Sequence, residues 1–414
     1  MKPITLLFVF GTRPEAIKLA PLVLAAQQDP RFAAKVCVSA QHREMLDSVL
    51  QFFAITPDLD LDLMRPGQSL SRLTCGVLQG MEPHWPSLGA DWVVVQGDTT
   101  TAFAAALAAF LARVPVMHVE AGLRTHNMQQ PWPEEMNRRL VAPLAQLHFA
   151  PTPTAQNNLL AEGIAPDTIN VTGNTGIDAL FLVRERLAHD ASAQAQVRQQ
   201  LSTLGLQRFA HAARPYVLIT AHRRESFGAG FDEICQAVRD LVQRHPAVDF
   251  VFPVHPNPSV RAAVDRWLAP TAESESGCNL VLCQPLDYLP FVALMIGARV
   301  VLTDSGGVQE EAPSLGCPVV VMRDVTERME GTASGRVVMA GPHRARIVDA
   351  VQGFLAEGDT ARRGGTWYGD GQACARILDR VATEAARLHA VPGVAASGAT
   401  VPSQPAPQAA ATTA

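Results

Sequence analysis

Carboxylates, arginines and a glycine-rich turn give this chain the residues for proton transfer beside an anion. In the stretch VMHVEAGLRTHNMQQPWPEEMNRR (residues 116–139), Glu120 ends a short apolar run, and Gly122 and Arg124 follow. After Pro131-Trp132-Pro133, the acid pair Glu134 and Glu135 opens a helix. Positioned carboxylates are general acids and bases, and grouping them for packing alone is costly. His118 and Glu120 stand two apart on a strand and so face one side. Asp98, in Gln96-Gly97-Asp98-Thr99, is either a third acid or the cap of the helix that follows. A second constellation is Asp304-Ser305-Gly306-Gly307, between an apolar strand and a helix. Glycines let a phosphate approach the backbone, and the free N–H groups of a helix start bind anions. One helix end contributes only about 0.3–1 kcal/mol at exposed sites, so a diphosphate needs cations as well. Arg13, His222-Arg223-Arg224 and Arg328 are the candidates. Glu310 and Glu311 read either as compensation of the helix dipole or as carboxylates on the ribose hydroxyls, the latter being preferred for Glu311.

These groups must be held by regular elements, and the pattern of the chain supplies them. Ile4–Phe10 reads as a buried strand with Gly11-Thr12-Arg13-Pro14-Glu15 turning into a helix. Pro14 suits a first helical position, and Thr12 with Glu15 has capping-box spacing. Further strands are expected near 35–40, 91–96, 115–120, 147–150 and 169–171. Helices are expected near 14–28, 42–53, 69–82, 99–112, 134–146 and 154–162. After a helix near 177–188 and a polar Ala/Gln-rich stretch, 189–214, a second α/β series begins. Its strands fall near 216–220, 248–253, 279–283, 299–303 and 318–322. Its helices fall near 229–245, 257–268, 287–297, 306–315 and 345–357. Strands alternating with helix-length segments mean parallel sheets wrapped on both faces, hence an α/β fold of two doubly wound Rossmann-like domains. Ligands of such sheets lie beyond the carboxyl ends of the strands, where Arg13, Lys18, Gln41-His42-Arg43, Asp98 and Glu120 all fall. The expected domains are residues 1–176 and 177–370, with a last helix, about 371–388, packing back on the first. The uncharged Ala/Pro/Ser/Thr-rich tail, 391–414, cannot build a core and is expected to be disordered.

Composition excludes several classes. At 48% hydrophobic and 18% charged residues with a net charge of −5, nothing points to nucleic acid or an anionic membrane. The seven cysteines (37, 75, 235, 278, 283, 317, 374) include no C-x-x-C, which fits reduced thiols in a cytoplasm. The apolar start is too short and lacks the cleavage pattern of a signal peptide, and the Ala-rich run 101–112 is too short to span a bilayer. The first strand lacks G-x-G-x-x-G, which argues against NAD. His118, Glu120 and Asp98 as metal ligands is a minor reading beside a satisfied strand-end histidine. On spacing alone Lys18 can be a solvated residue, Gln41-His42-Arg43 is open between helix capping and a ligand site, and His255 is left open.

The motifs GTRPEAIKLAPL (11–22), AQHREML (40–46), GDTTT (97–101), HVEAGLRT (118–125) and PWPEEMNR (131–138) resemble those of the non-hydrolysing UDP-N-acetylglucosamine 2-epimerases. So do TGNTGIDAL (172–180), HRRESFG (222–228), TDSGGVQEEAPSLG (303–316) and YGDGQA (368–373). The resemblance covers Lys2 to about residue 388. It implies a GT-B fold with the site in the cleft between two domains, interconversion of UDP-GlcNAc and UDP-ManNAc, no cofactor, no metal, and a homodimer. It also implies a second UDP-GlcNAc as activator near Gln41, His42 and Gln68. Carried over residue by residue, the catalytic groups are Asp98, Glu120 and Glu134 with His222. The substrate contacts are Arg13, Lys18, Phe291, Ser305, Gly306, Gly307, Glu311 and Arg328. The chain departs from the family pattern at His126–Gln130, at Leu286 and at Met329-Glu330-Gly331. An epimerase of a modified, uronic-acid type UDP-sugar, a hydrolysing relative, a GT-B glycosyltransferase and a silent UDP-sugar sensor are the rival readings.

Overall fold

The computed structural model describes residues 2–390 apart from 41–42, 66, 211–213, 224–225, 274–277 and 362–363. Two all-parallel sheets form the two halves. The first holds β1 (Ile4–Phe10), β2 (Phe32–Val38), β3 (Leu59–Asp60), β4 (Trp92–Gln96), β5 (Val116–Val119), β6 (Leu147–Ala150) and β7 (Ile169–Val171) in the order β3-β2-β1-β4-β5-β6-β7. The second holds β8 (Tyr216–Thr220), β9 (Asp249–Pro253), β10 (Leu280–Cys283), β11 (Val300–Thr303), β12 (Val319–Val321) and β13 (Val337–Met339) in the order β10-β9-β8-β11-β12-β13. Strands covered on both faces need continuous apolar runs, and WVVVQ and VVLT are buried throughout.

Each order reverses once, between β1 and β4 in the first sheet and between β8 and β11 in the second. A crevice opens beyond the carboxyl ends at such a switch point. The turns after β1, β4, β8 and β11 are the ones that carry Arg13, Asp98, His222 and Ser305. A continuous apolar cluster runs from Phe10 through Leu180 and Val183 of helix Thr175–His189 to Val301 and Val319. The last helix, Ala373–Ala390, packs on helices Arg13–Gln28 and Thr175–His189. Asp178 fixes its start, accepting from the N–H groups of Ala373 (3.2 Å) and Cys374 (2.9 Å). Two passages of the chain cross there. Gly173, at φ +88°, lies so close to Gly369 that a Cβ would stand 2.9 Å from its Cα, and Asn174 N–H bonds the Tyr368 carbonyl at 2.6 Å.

Three expectations need correction. The stretch 189–214 contains a helix, Ala191–Thr203, capped by Asp190, whose Oδ1 accepts from Ser192 N–H at 2.8 Å. The short edge strands β3, of two residues, and β13, of three, are not among the expected strands. The helix expected over 134–146 ends at Val141 and tightens into a 3₁₀ turn, Ala142–Leu144. All seven cysteines are free. No helix among the described residues is long and apolar enough to cross a membrane. The tail 391–414 lies outside the described residues.

Candidate active site

The site begins with a buried carboxylate that joins two turns. Glu15 accepts from the N–H groups of Gly11 (3.1 Å) and Thr12 (2.8 Å) and from the hydroxyls of Thr12 (2.7 Å) and Thr99 (2.6 Å). Burial pushes its carboxyl up, with those bonds opposing. The turn after β1 is thereby tied to the turn after β4. Thr99, not Asp98, caps the helix Thr100–Leu111, accepting from Ala102 N–H at 2.9 Å. The Asp98 carboxylate is left for other partners. Arg138 grips its Oδ2 through Nε (2.9 Å) and Nη2 (2.6 Å). Burial alone would raise the Asp98 carboxyl, but the guanidinium of Arg138 holds it below the usual range.

Glu120 lies one residue beyond β5 with φ +63°, so strand alternation does not govern its direction. Its Oε2 accepts from Lys18 Nζ (2.5 Å) and Asn174 Nδ2 (2.7 Å). The same Asn174 amide donates to Glu310 Oε2 (2.5 Å), which belongs to the helix after the glycine-rich turn. Arg328 completes the set, with Nε 2.5 Å from Glu310 Oε1 and Nη2 3.7 Å from Glu120 Oε1, and it also contacts Glu327. Glu327 in turn stands 3.4 Å from Arg138. A line of alternating charge thus joins Lys18, Glu120, Arg328, Glu327, Arg138 and Asp98 across the cleft. Burial would raise the Glu120 carboxyl, but Lys18 and Arg328 hold it down. Burial prevails at Glu310, which is raised despite Arg328. Lys18 is mostly buried, its side chain 14% exposed, and paired with Glu120, contrary to the reading of it as a solvated residue.

The acid pair divides its roles. Glu135 is fully buried and holds the loop, accepting from the N–H groups of Thr125 (3.0 Å) and His126 (3.2 Å) and from Arg138 Nη1 (3.2 Å). Glu134 Oε2 is buried with no protein partner, and burial, with Asp98 adding repulsion, raises its carboxyl. A carboxyl with a raised proton affinity is suited to give up a proton late. His118 bonds the Gly97 carbonyl through Nε2 at 2.8 Å, and burial pushes it down to about 3. Its Nδ1 is buried without a hydrogen-bond partner. No cluster of metal-binding side chains occurs among the described residues.

At the glycine-rich turn, Ser305 leads into helix Gly306–Ser314 without a side-chain cap, so its first N–H groups keep their capacity for an anion. Arg328 lies over the turn: a Cβ on Gly306 would stand 2.8 Å from Nη1. Both Glu310 oxygens are engaged by protein groups, and burial pushes the neighbouring Glu311 carboxyl up to about 7. Arg13 reaches from the first lobe to the Leu286 carbonyl at 3.2 Å, and Phe291 is partly buried at the edge of the core. His222 faces Asp304 and stacks on His255, with ring centroids 5.6 Å apart. Gln41, His42 and Arg224 lie outside the described residues. Gln68 lines a separate recess of about 220 Å³ with Leu63, Arg65 and Arg72.

Sequence reasoning missed Asn174, Arg138, Glu327 and the buried role of Asp304. The first three lie inside quoted motifs or beside Arg328, but the pairs Arg138–Asp98, Asn174–Glu310 and Arg138–Glu327 join residues 40, 136 and 189 apart. Spacing along the chain carries no signal of that kind.

Comparison with known proteins agrees with this architecture. A family model described as UDP-N-acetylglucosamine 2-epimerase matches residues 24–382. A UDP-N-acetylglucosamine 2-epimerase of Yersinia pestis is 51% identical over 376 residues, 90% of this chain and 96% of that protein. The corresponding protein of Salmonella typhimurium is 52% identical over 375 residues, again 90% of this chain and 96% of that protein. The crystal structure of UDP-GlcNAc 2-epimerase from Neisseria meningitidis bound to UDP-GlcNAc superposes with a TM-score of 0.84 at 43% identity, covering 92% of this chain and 100% of that one. The two Rossmann-like domains are thus arranged as a GT-B-type fold.

Proposed function

The chain belongs to the UDP-N-acetylglucosamine 2-epimerase family, and on that premise we propose that it interconverts UDP-GlcNAc and UDP-ManNAc by inverting C2 of the sugar. The observation that carries the reading is the juxtaposition of Glu120 with Glu310. The two carboxylates share Asn174 and Arg328, so the acid of one lobe lies against the glycine-rich helix start of the other.

The C2 hydrogen of an N-acetylhexosamine is not acidic, and the route that needs no ketone is elimination. The anomeric C–O bond breaks and UDP leaves with the electron pair. A carboxylate takes the C2 proton, giving 2-acetamidoglucal. UDP then adds back at C1 while a proton is delivered to the opposite face of C2. Two faces require more than one acid, and Asp98, Glu120 and Glu134 supply them. A positioned acid or base contributes about 10²–10⁴-fold. The larger share comes from stabilising departing UDP with the N–H groups of Ser305, Gly306 and Gly307 and with Arg13, Lys18, His222 and Arg328. Carboxylates beside the sugar also suit its cationic transition state. Phe291 contacts the nucleotide, and Glu311 bonds the ribose.

The same reading takes residues 1–176 with the last helix as the lobe of the catalytic acids and 177–370 as the nucleotide lobe. It makes the protein a cytoplasmic homodimer that supplies a precursor for surface polysaccharide. A second UDP-GlcNAc acts as activator near Gln41, His42 and Gln68. Incubation with UDP-GlcNAc in deuterated water should give UDP-ManNAc with deuterium at C2. Free ManNAc, transfer only to an added acceptor, or no turnover would overturn the reading.

A further inference from the structure

The parallel pairing of β8 with β11 puts Thr220 opposite Thr303, so the residues just past the two strand ends meet at the switch point. Asp304 stands there with no exposed surface. Its Oδ2 accepts from the backbone N–H groups of His222 and Arg223, each at 2.7 Å. Its Oδ1 has no aligned hydrogen bond and faces His222 Nδ1 at 3.2 Å. A buried carboxylate oxygen needs a donor, and among the described residues the imidazole is the one ion-pair partner recorded for Asp304. On the other side, the ring of His255 lies nearly parallel to that of His222, at 20°. His255 is itself oriented by Asn257 N–H, which donates to its Nδ1 at 3.2 Å. The imidazole is thus fixed by a charge at its edge and a ring on its face.

We propose that Asp304 is a positioning residue for His222: by accepting from Nδ1–H it holds the ring with Nε2 toward the cleft and lets both nitrogens carry a proton when UDP is bound, so that Nε2–H donates to the departing phosphate. This rests on the epimerase reading, in which His222 acts on departing UDP. A carboxylate that orients an imidazole selects the nitrogen that does the chemistry. The corresponding Asp→Asn change in serine proteases keeps the geometry, inverts the tautomer and lowers kcat by about 10⁴. Here the two backbone bonds to Oδ2 would survive in Asp304→Asn, since an amide oxygen can accept both. Its NH₂ group would then face Nδ1 and bar a proton from it, so the ring could not carry a positive charge toward the phosphates.

The test has two readouts on the full chain. With ¹⁵N-histidine labelling and His222→Gln for assignment, the neutral His222 ring of the unsubstituted protein should carry its proton on Nδ1. A neutral ring with its proton on Nε2 would overturn the proposal whether or not any variant folds. In kinetics, Asp304→Asn should lower kcat about 10²–10⁴-fold with KM changed little. The double variant Asp304→Asn/His222→Gln should be no more than about twofold slower than His222→Gln alone. Multiplying losses in the double variant, or a change confined to KM, would show a role independent of His222. If the unsubstituted protein puts no deuterium into C2 of UDP-GlcNAc, the function reading fails instead. The tautomer measurement still judges Asp304.

Discussion

Replacing Asn174 should reveal whether it is a helix cap or a bridge between lobes. As a cap, its Oδ1 accepts from Gly176 N–H at 3.1 Å, and loss of such a bond costs about 1 kcal/mol. As a bridge, its Nδ2 donates to Glu120 at 2.7 Å and Glu310 at 2.5 Å, both buried. A hydrogen bond to a charged group contributes about 1.5–3 kcal/mol, so Asn174→Ala should cost at least about 3 kcal/mol by urea unfolding at pH 7.5. The contrast with Asn174→Asp decides the matter. Aspartate caps helices as well as asparagine, so a pure cap predicts a near-neutral change. A bridge predicts that Asn174→Asp is at least as damaging as Asn174→Ala, because a third carboxylate replaces the shared donor. That carboxyl would have a folded-state proton affinity raised above its unfolded value. The penalty of Asn174→Asp should therefore be largest at high pH and shrink as pH falls toward 5. Equal stability of Asn174→Asp and the unsubstituted protein at pH 8 would refute the bridge.

Asp98→Asn, Glu120→Gln and Glu134→Gln should each lower kcat about 10²–10⁴-fold while UDP still binds by calorimetry; three variants with ordinary turnover would end the acid assignment. Glu311, pushed up to about 7 by burial, withdraws stability as pH rises from the usual carboxylate range through 7. The melting temperature of Glu311→Gln should accordingly rise relative to the unsubstituted protein between pH 5 and 8, and parallel curves would refute the burial argument. Gly306→Ala should weaken UDP binding about tenfold or more, because the new methyl would stand 2.8 Å from Arg328 Nη1 and displace a charged donor. Unchanged affinity would mean that Arg328 does not reach the phosphates.

The sequence made the sheets legible because their strands are short, apolar and separated by helix-length segments. It placed Arg13, Asp98, Glu120, His222 and Ser305 at strand ends for the same reason. What it could not convey was partnership. Glu134 and Glu135 are adjacent and chemically alike, yet one ties down a loop and the other keeps a buried oxygen without a protein partner. Lys18 stands one helical turn from Pro14 and looks solvated until Glu120, 102 residues on, is placed beside it. The helix Ala191–Thr203 was hidden by its polar, Gln-rich composition, although Asp190 had the residue type of a cap. Local pattern reports which surface an element hides; it does not report which charge meets which.

The charges that line the cleft have a further consequence for turnover. Lys18 and Arg328, proposed to hold the phosphates, already have carboxylates as neighbours in Glu120 and Glu310. An arriving nucleotide therefore swaps one negative partner for another, and its affinity is a difference of two similar attractions. The same swap run backwards lets the product go, since each cation it abandons falls back on a neighbouring acid. Grip strong enough for bond cleavage can thus coexist with quick release, provided the lobes part far enough for the exchange.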